Sequence, residues 1–278
     1  MTAQHDAAPP LVLGPVRLTV RDLARSLAFY TEWVGLRVLA EEGARADLGV
    51  ADAPLLQLEQ SPELAPPAGT GLYHAAFLLP SREDLATWWA HFQRSGQRLG
   101  QADHLVSEAL YIHDPDGHGI EIYRDRPRAE WTWSEGQVRM ASDPLNPQLI
   151  DLARPDWSGL GEQTELGHLH FRVSDLAATE HFYRDLMGFA VVARWPGALF
   201  VSLGGYHHHL GLNVWQSLHA PPVQADRLGL VSAGLRLRPD HLAGLLSRLE
   251  REGWPLARAG DDLLLRDPAG ILLRVAAL

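Results

Sequence analysis

Residues 13–38 read LGPVRLTVRDLARSLAFYTEWVGLRV, and residues 166–191 read LGHLHFRVSDLAATEHFYRDLMGFAV. The two stretches align without a gap: Asp22-Leu23 falls on Asp175-Leu176, Phe29-Tyr30 on Phe182-Tyr183, and Gly35 on Gly188. Such self-similarity marks one structural unit used twice, and both copies read the same way. A run rich in β-branched and apolar residues predicts a strand. Asp22 or Asp175 then suits a helix N-cap, because its carboxylate can accept an orphan backbone N–H of the first turn. Leu23, Leu27, Tyr30 and Val34 follow at i, i+4, i+7 and i+11, a single helical stripe. Gly35 or Gly188 ends the helix and a new strand begins.

A second kind of repeat lies beside the first. Residues 71–75 (GLYHA) and 229–233 (GLVSA) each precede an amphipathic helix, with Leu85, Trp88, Trp89 and Phe92 in one and Leu242, Leu245, Leu246 and Leu249 in the other. Each then leads through a strand and a D-P-x-G turn, Asp114–Gly117 or Asp267–Gly270, into a last apolar strand. Proline fixes φ and glycine accepts a positive φ, so this is turn chemistry. The chain therefore divides into four βαβββ modules, at 11–60, 69–126, 164–217 and 226–278. In sequence these form a first pair over 11–126 and a second over 164–278. Residues 127–163, with Pro127, Pro144, Pro147 and Pro155, read as a crossing linker. The expected fold class is α+β: two cup-shaped, mostly antiparallel sheet domains with helices on their outer faces.

Composition narrows the chemistry. The 278 residues contain no cysteine, which removes disulfides, thiolate metal sites and cysteine nucleophiles. Any metal must sit on His, Asp or Glu. A formal net charge of -10 without a block of like charges argues against nucleic acid and against an anionic membrane as partner. No apolar run approaches the roughly 18 residues of a membrane span. The first ten residues lack the basic-then-apolar order of a signal peptide, so a cytoplasmic location is expected.

The repeats also locate a site, because they can be compared position by position. On the first strand, Pro15 of module one matches His168 of module three, and His74 of module two matches Ser232 of module four. Seven residues after the turn aspartate stand Glu121 in module two and Arg274 in module four. Modules two and three carry every potential ligand at these positions; modules one and four carry none. A lone strand histidine is ordinarily a core or surface residue, and Glu121 in G-I-E-I-Y fits the solvent side of an alternating strand. Three such residues at repeat-equivalent positions instead make a metal site. Two imidazoles and one carboxylate form the facial triad that leaves open positions on a divalent metal such as iron(II).

The module pattern, the stretch DPDGHGIEIY (114–123) and the stretch GYHHHLGLNVW (205–215) resemble the vicinal-oxygen-chelate superfamily, and within it the catechol 2,3-dioxygenase-like extradiol dioxygenases. The resemblance runs from Val12 to the end of the chain. The fold is shared with glyoxalases and with fosfomycin- and bleomycin-resistance proteins, so the site residues carry the specificity. The resemblance implies His74, His168 and Glu121 as metal ligands, with Fe2+ as cofactor and Mn2+ as its alternative. It implies His209 as the residue that handles protons and steadies oxygen, Tyr111 as a contact to the substrate oxygen, and His104, offset by about two residues from the family position, as its partner. His170, His207 and Asn213 are expected around the substrate. In better-known relatives the site lies between modules three and four; here module four lacks ligands, so modules two and three must share one cup, within a chain or across a dimer.

The resulting expectation is an oxidoreductase of aromatic catabolism, opening a small catecholic substrate with O2 and working as a homo-oligomer. The alternatives are a metal-dependent glyoxalase-type lyase or isomerase and a resistance-type binding protein. Among the other histidines, strand alternation puts His207 on the face of His209 and His208 opposite, in a structural place. His113 and His118 are expected to be exposed beside the turn, and His91, His181 and His241 on helix surfaces. Trp131, Trp133 and Trp157 are candidates to cover a pocket.

Overall fold

The computed structural model of the chain describes residues 9–278. Module one comprises β1 (Leu11–Val20), α1 (Leu23–Phe29), β2 (Arg37–Glu42), β3 (Arg45–Val50) and β4 (Ala53–Gln60). Module two comprises β5 (Gly71–Leu78), α2 (Arg82–Gln93), β6 (Gly100–Asp103), β7 (Ser107–His113) and β8 (Gly119–Asp125). The crossing segment holds a two-stranded ribbon, β9 (Trp133–Ser134) and β10 (Gln137–Val138), with short 3-10 turns on either side. Module three has β11 (Glu165–Arg172), α3 (Leu176–Glu180), β12 (Ala190–Trp195), β13 (Ala198–Ser202) and β14 (Leu210–Asn213). Module four has β15 (Gly229–Leu237), α4 (Pro239–Glu252), β16 (Leu256–Ala259), β17 (Asp262–Arg266) and β18 (Leu272–Ala277).

The strands form two eight-stranded sheets of identical design. One runs β16-β17-β18-β15-β1-β4-β3-β2 and the other β12-β13-β14-β11-β5-β8-β7-β6. Each sheet therefore takes one module from each half of the sequence: modules one and four build the first, modules two and three the second. Within a module the first and last strands run parallel, while the seam between modules is antiparallel. The module-two and module-three residues thus meet within one chain.

Local chemistry explains the repeated elements. Asp22 accepts the N–H of Arg25, and Asp175 accepts those of Ala177 and Ala178, as the N-cap reading requires. Both helices then loosen into a single π-type stretch before Gly35 and Gly188, which stand at φ 94° and 84°. The aromatic pair on each helix is core: Tyr30 Oη donates to Asp114, and Tyr183 Oη donates to Asp267, tying each helix to the D-P-x-G turn of the following module. Leu169 and Phe171 of β11, and Val173 just beyond it, enter one hydrophobic core that runs through both sheets and the helices. His168, His170 and Arg172 alternate to the concave face.

Candidate active site

The seam between β5 and β11 places the candidate ligands. His74 lies directly across from His170, and His168 across from Ala76; Ala76 in turn is paired with Glu121 on β8. The ladder shifts register between His170 and Phe171, opposite the step from His74 to Leu72. This bulge lets Tyr73 and His74 both line the same cavity, although strict alternation would set them on opposite faces.

His74, Glu121 and His168 are 6%, 1% and 2% exposed, and one ligand atom from each falls within 4.8 Å of the others. His74 Nε2 and His168 Nε2 both lie 3.0 Å from the same oxygen, Glu121 Oε2. His168 makes a hydrogen bond of it, whereas His74 Nε2 is outside hydrogen-bonding geometry, and Glu121 Oε1 has no partner at all. Buried polar atoms left unsatisfied at a common point are what a cation would complete. The donor set of two imidazoles and one carboxylate fits a first-row divalent metal.

The electrostatics agree. Burial alone would raise the Glu121 carboxyl, but the imidazoles of His168 and His74 reverse this and hold it well below the usual carboxylate range. Burial lowers His168, and more strongly His170, and so favours the neutral form of both rings. Metal ligation requires that state of an imidazole.

Tyr111 and His104 stand together on the same cavity. The Tyr111 hydroxyl lies 2.6 Å from His104 Nε2, and His104 Nδ1 lies 2.6 Å from the Ala141 carbonyl. The carbonyl can only accept, so Nδ1 carries the proton, Nε2 accepts, and Tyr111 donates. Burial and the nearby Glu121 charge push the Tyr111 hydroxyl well above its ordinary value. The cavity encloses about 520 Å³, and its walls include Tyr73, Met140, Trp195, Phe200, His208 and Trp215.

The three consecutive histidines need correction. His208, expected on the structural side, lines the cavity with its ring 4.2 Å from that of His168. His209, expected at the site, turns away: its Nδ1 accepts the N–H of Leu203, its ring packs on Tyr206, and burial pushes its pKa down to about 3. Alternation fails because the segment is not strand. Residues 203–209 form an irregular turn with Gly204 and Gly205 at positive φ, and β14 begins only at Leu210. His207 is fully buried behind His208, with Nδ1 2.8 Å from His208 Nδ1 and Nε2 2.8 Å from Asp125 Oδ1.

Other expectations shift in the same way. His170 lines the cavity, but Asn213 stands behind it, its amide donating to His170 Nε2, and neither His207 nor Asn213 forms part of the wall. His118 is buried rather than exposed, its Nδ1 on Asp114, because it closes the D-P-x-G turn. His91 is buried too, stacked on Trp157 and bonded to the Glu32 carbonyl. Trp131 is core and Trp133 exposed; the tryptophans at the cavity are Trp195 and Trp215 instead. Sequence reasoning missed these two, along with Tyr73 and Arg172, because none sits at a repeat position carrying a ligand. Arg172 had one usable signal, its parity with His168 on β11.

With this geometry in place, the comparisons with known proteins are specific. The model of the Glyoxalase/Bleomycin resistance protein/Dioxygenase superfamily matches residues 12–122 and 165–275. The chain belongs to that superfamily. Within it, the chain is 39% identical over 279 aligned residues to a catechol-2,3-dioxygenase of Bacillus subtilis (strain 168), covering 96% of each, and is catechol 2,3-dioxygenase-like. Among solved structures, a putative dioxygenase from Bacillus subtilis subsp. subtilis str. 168 shares the fold at a TM-score of 0.65 and 13% identity, over 98% of this chain and 86% of that one. Glyoxalase I from Zea mays shares it at 0.58 and 15% identity, over 96% and 92%.

Proposed function

We propose that this protein cleaves the ring of catechol or a substituted catechol with O2, beside rather than between the two hydroxyls, at an Fe(II) ion held by His74, His168 and Glu121. The observation that carries the reading is the buried convergence of these three ligands in the cavity that also presents the Tyr111–His104 pair. Iron held by these three residues would supply Lewis acidity and open coordination positions for substrate and O2, and a path for electrons between ring and oxygen. Mn2+ accepts the same ligand set.

The chain's own residues then manage protons and shape. Tyr111 donates to His104, so its oxygen turns a lone pair to the cavity. A proton leaving a substrate hydroxyl passes to Tyr111 Oη as the tyrosine's own proton moves to His104 Nε2. With its ionisation pushed up by burial, Tyr111 transmits that proton without becoming a standing anion. On the His168 side, Asp125 accepts from His207 Nε2, which leaves His207 Nδ1 to accept from His208 Nδ1. His208 Nε2 is then the lone-pair nitrogen offered to the cavity. It can take the second proton and return it to oxygen as the O–O bond breaks. Phe200, Trp195 and Trp215 supply apolar wall against which the ring would pack. Ring expansion and hydrolysis would give a muconic semialdehyde-type product containing both oxygen atoms.

Asn213, the counterpart of Glu121 in module three, is committed to His170 and offers no fourth ligand. That disfavours a glyoxalase-type site, for which four protein ligands are expected. The test is anaerobic loading with Fe2+, then catechol, 3-methylcatechol and 4-methylcatechol in air. A yellow product with one O2 consumed per ring, lost in His74→Ala and Glu121→Ala, is expected. Bound iron without colour moves the substrate to another class, and failure to bind metal overturns the triad.

A further inference from the structure

Arg172 is the residue the mechanism leaves unused. It shares the concave face of β11 with His168 and His170, and it lines both the triad cavity and a neighbouring one of about 480 Å³. Its Nε is buried without a partner, and among the described residues its guanidinium makes no hydrogen bond and no ion pair. Glu121, committed to the triad, is the single acidic residue on the first cavity's wall, and the second cavity has none. A half-buried arginine remains charged, and holding it unpaired is costly unless something anionic completes it.

Distance says what that something is. Each two-residue step along a strand is roughly 6.6 Å, so the Arg172 backbone lies about 13 Å from that of His168. The arginine side chain covers about half of this span, leaving the length of one aromatic ring and a short arm. Tyr73, His170 and Trp215 line this stretch with their rings 5.0, 5.6 and 5.7 Å apart, an aromatic wall suited to a flat ring. A bare benzenediol would leave much of 520 Å³ empty. Resting on the ring-cleavage reading above, we infer that Arg172 is a carboxylate subsite, and that the preferred substrates are catechols bearing a short acidic arm of acetate or propionate length.

The experiment compares dihydroxyphenyl acetates and propionates with their methyl esters, arm at ring position 3 or 4. Binding is followed without oxygen by quenching of tryptophan emission (Trp195 and Trp215 line the cavity), and turnover of the iron-loaded enzyme is followed separately. Wild type should prefer acid over ester by about tenfold or more in Kd and in kcat/KM, the scale of a charge-assisted pair. The preference should collapse towards unity in Arg172→Gln and partly survive in Arg172→Lys. Because acid and ester are compared within each variant, a partly folded sample does not imitate this result. Equal handling of acid and ester by wild type overturns the subsite while leaving ring cleavage standing. Acid-selective binding without turnover of any diol upholds the subsite and overturns the ring-cleavage reading.

Discussion

The two eight-stranded sheets are built to one plan, yet among the described residues one brings a set of possible metal ligands together and the other brings none. Their registers superpose: His170 faces His74 where Arg17 faces Ser232, and Ala76 pairs with Glu121 where Gly234 pairs with Arg274. In the sheet of modules one and four the concave floor is a smaller hollow of about 270 Å³ lined by Pro15, Arg17, Gln57, Asp262 and Arg274. There Arg274 is neutralised by Asp262, with Nε 2.9 Å from Oδ2, where the sheet of modules two and three leaves Glu121 Oε1 bare. Gly14 and Gly234 bring the two backbones so close that a Cβ on Gly14 would meet Gly234 Cα at 3.2 Å. One cup keeps unsatisfied buried ligands and the larger cavity; its twin keeps a smaller hollow, with close backbones and an ion pair at the matching positions. The architecture is therefore independent of the site, and a few side chains decide which cup does chemistry.

The sharpest way to break that contrast is to remove the matched residues. Glu121→Gln should weaken iron binding by at least about a hundredfold, whereas Arg274→Gln should leave iron per chain unchanged. Metal analysis after desalting reads both, and equal loss in the two variants would end the distinction. Next in size is the contrast within the histidine run. His208→Phe should retain iron and lose about 10²–10⁴ in kcat, while His209→Phe should stay within about threefold. The reverse order would restore the reading made from strand alternation. Tyr111→Phe should cost about tenfold to a hundredfold, because the phenol no longer passes a proton to His104.

The smallest effect separates the two D-P-x-G turns. Asp114 accepts Tyr30 Oη and pairs with the buried His118, which helps hold its carboxyl below its ordinary value against the opposing effect of burial. Asp267 accepts Tyr183 Oη and two backbone N–H groups, but Ile271 stands where His118 would, and burial raises its pKa to about 6. A folded pKa above the unfolded 3.8 means that the stabilising protonated form is fully present below that value and is lost as pH rises through about 6. Asp267→Asn should therefore be neutral or stabilising at pH 8, with the gain fading towards pH 5. Asp114→Asn should cost about 1–3 kcal/mol across that range. Melting temperatures of both variants at pH 5 and pH 8 check the signs; a gain for Asp114→Asn would contradict the assignment.

The triad was legible because the repeats act as an internal alignment: Pro15 against His168 and Arg274 against Glu121 expose the ligand positions without any second sequence. The helices were legible through Asp22 and Asp175, whose caps depend on neighbouring residues alone. His208 and His209 were not, since alternation is a property of extended backbone, and the turn at Gly204-Gly205 breaks it just before β14. Tyr73 escaped for a related reason, a one-residue bulge that re-aims a side chain. His118 was misplaced because a turn residue is exposed by default, and its burial comes from Tyr30 and Asp114 of different modules.

Taken by itself, the sequence determined four modules, their strand order within each module, and which two modules own the ligands, because periodicity, caps and turns are local. Tertiary structure decided that modules two and three meet within one chain, which imidazole of the 207–209 run reaches the cavity, and that Arg172 stands there without a counter-ion. Those outcomes depend on contacts between residues far apart in the chain, and no local pattern encodes them.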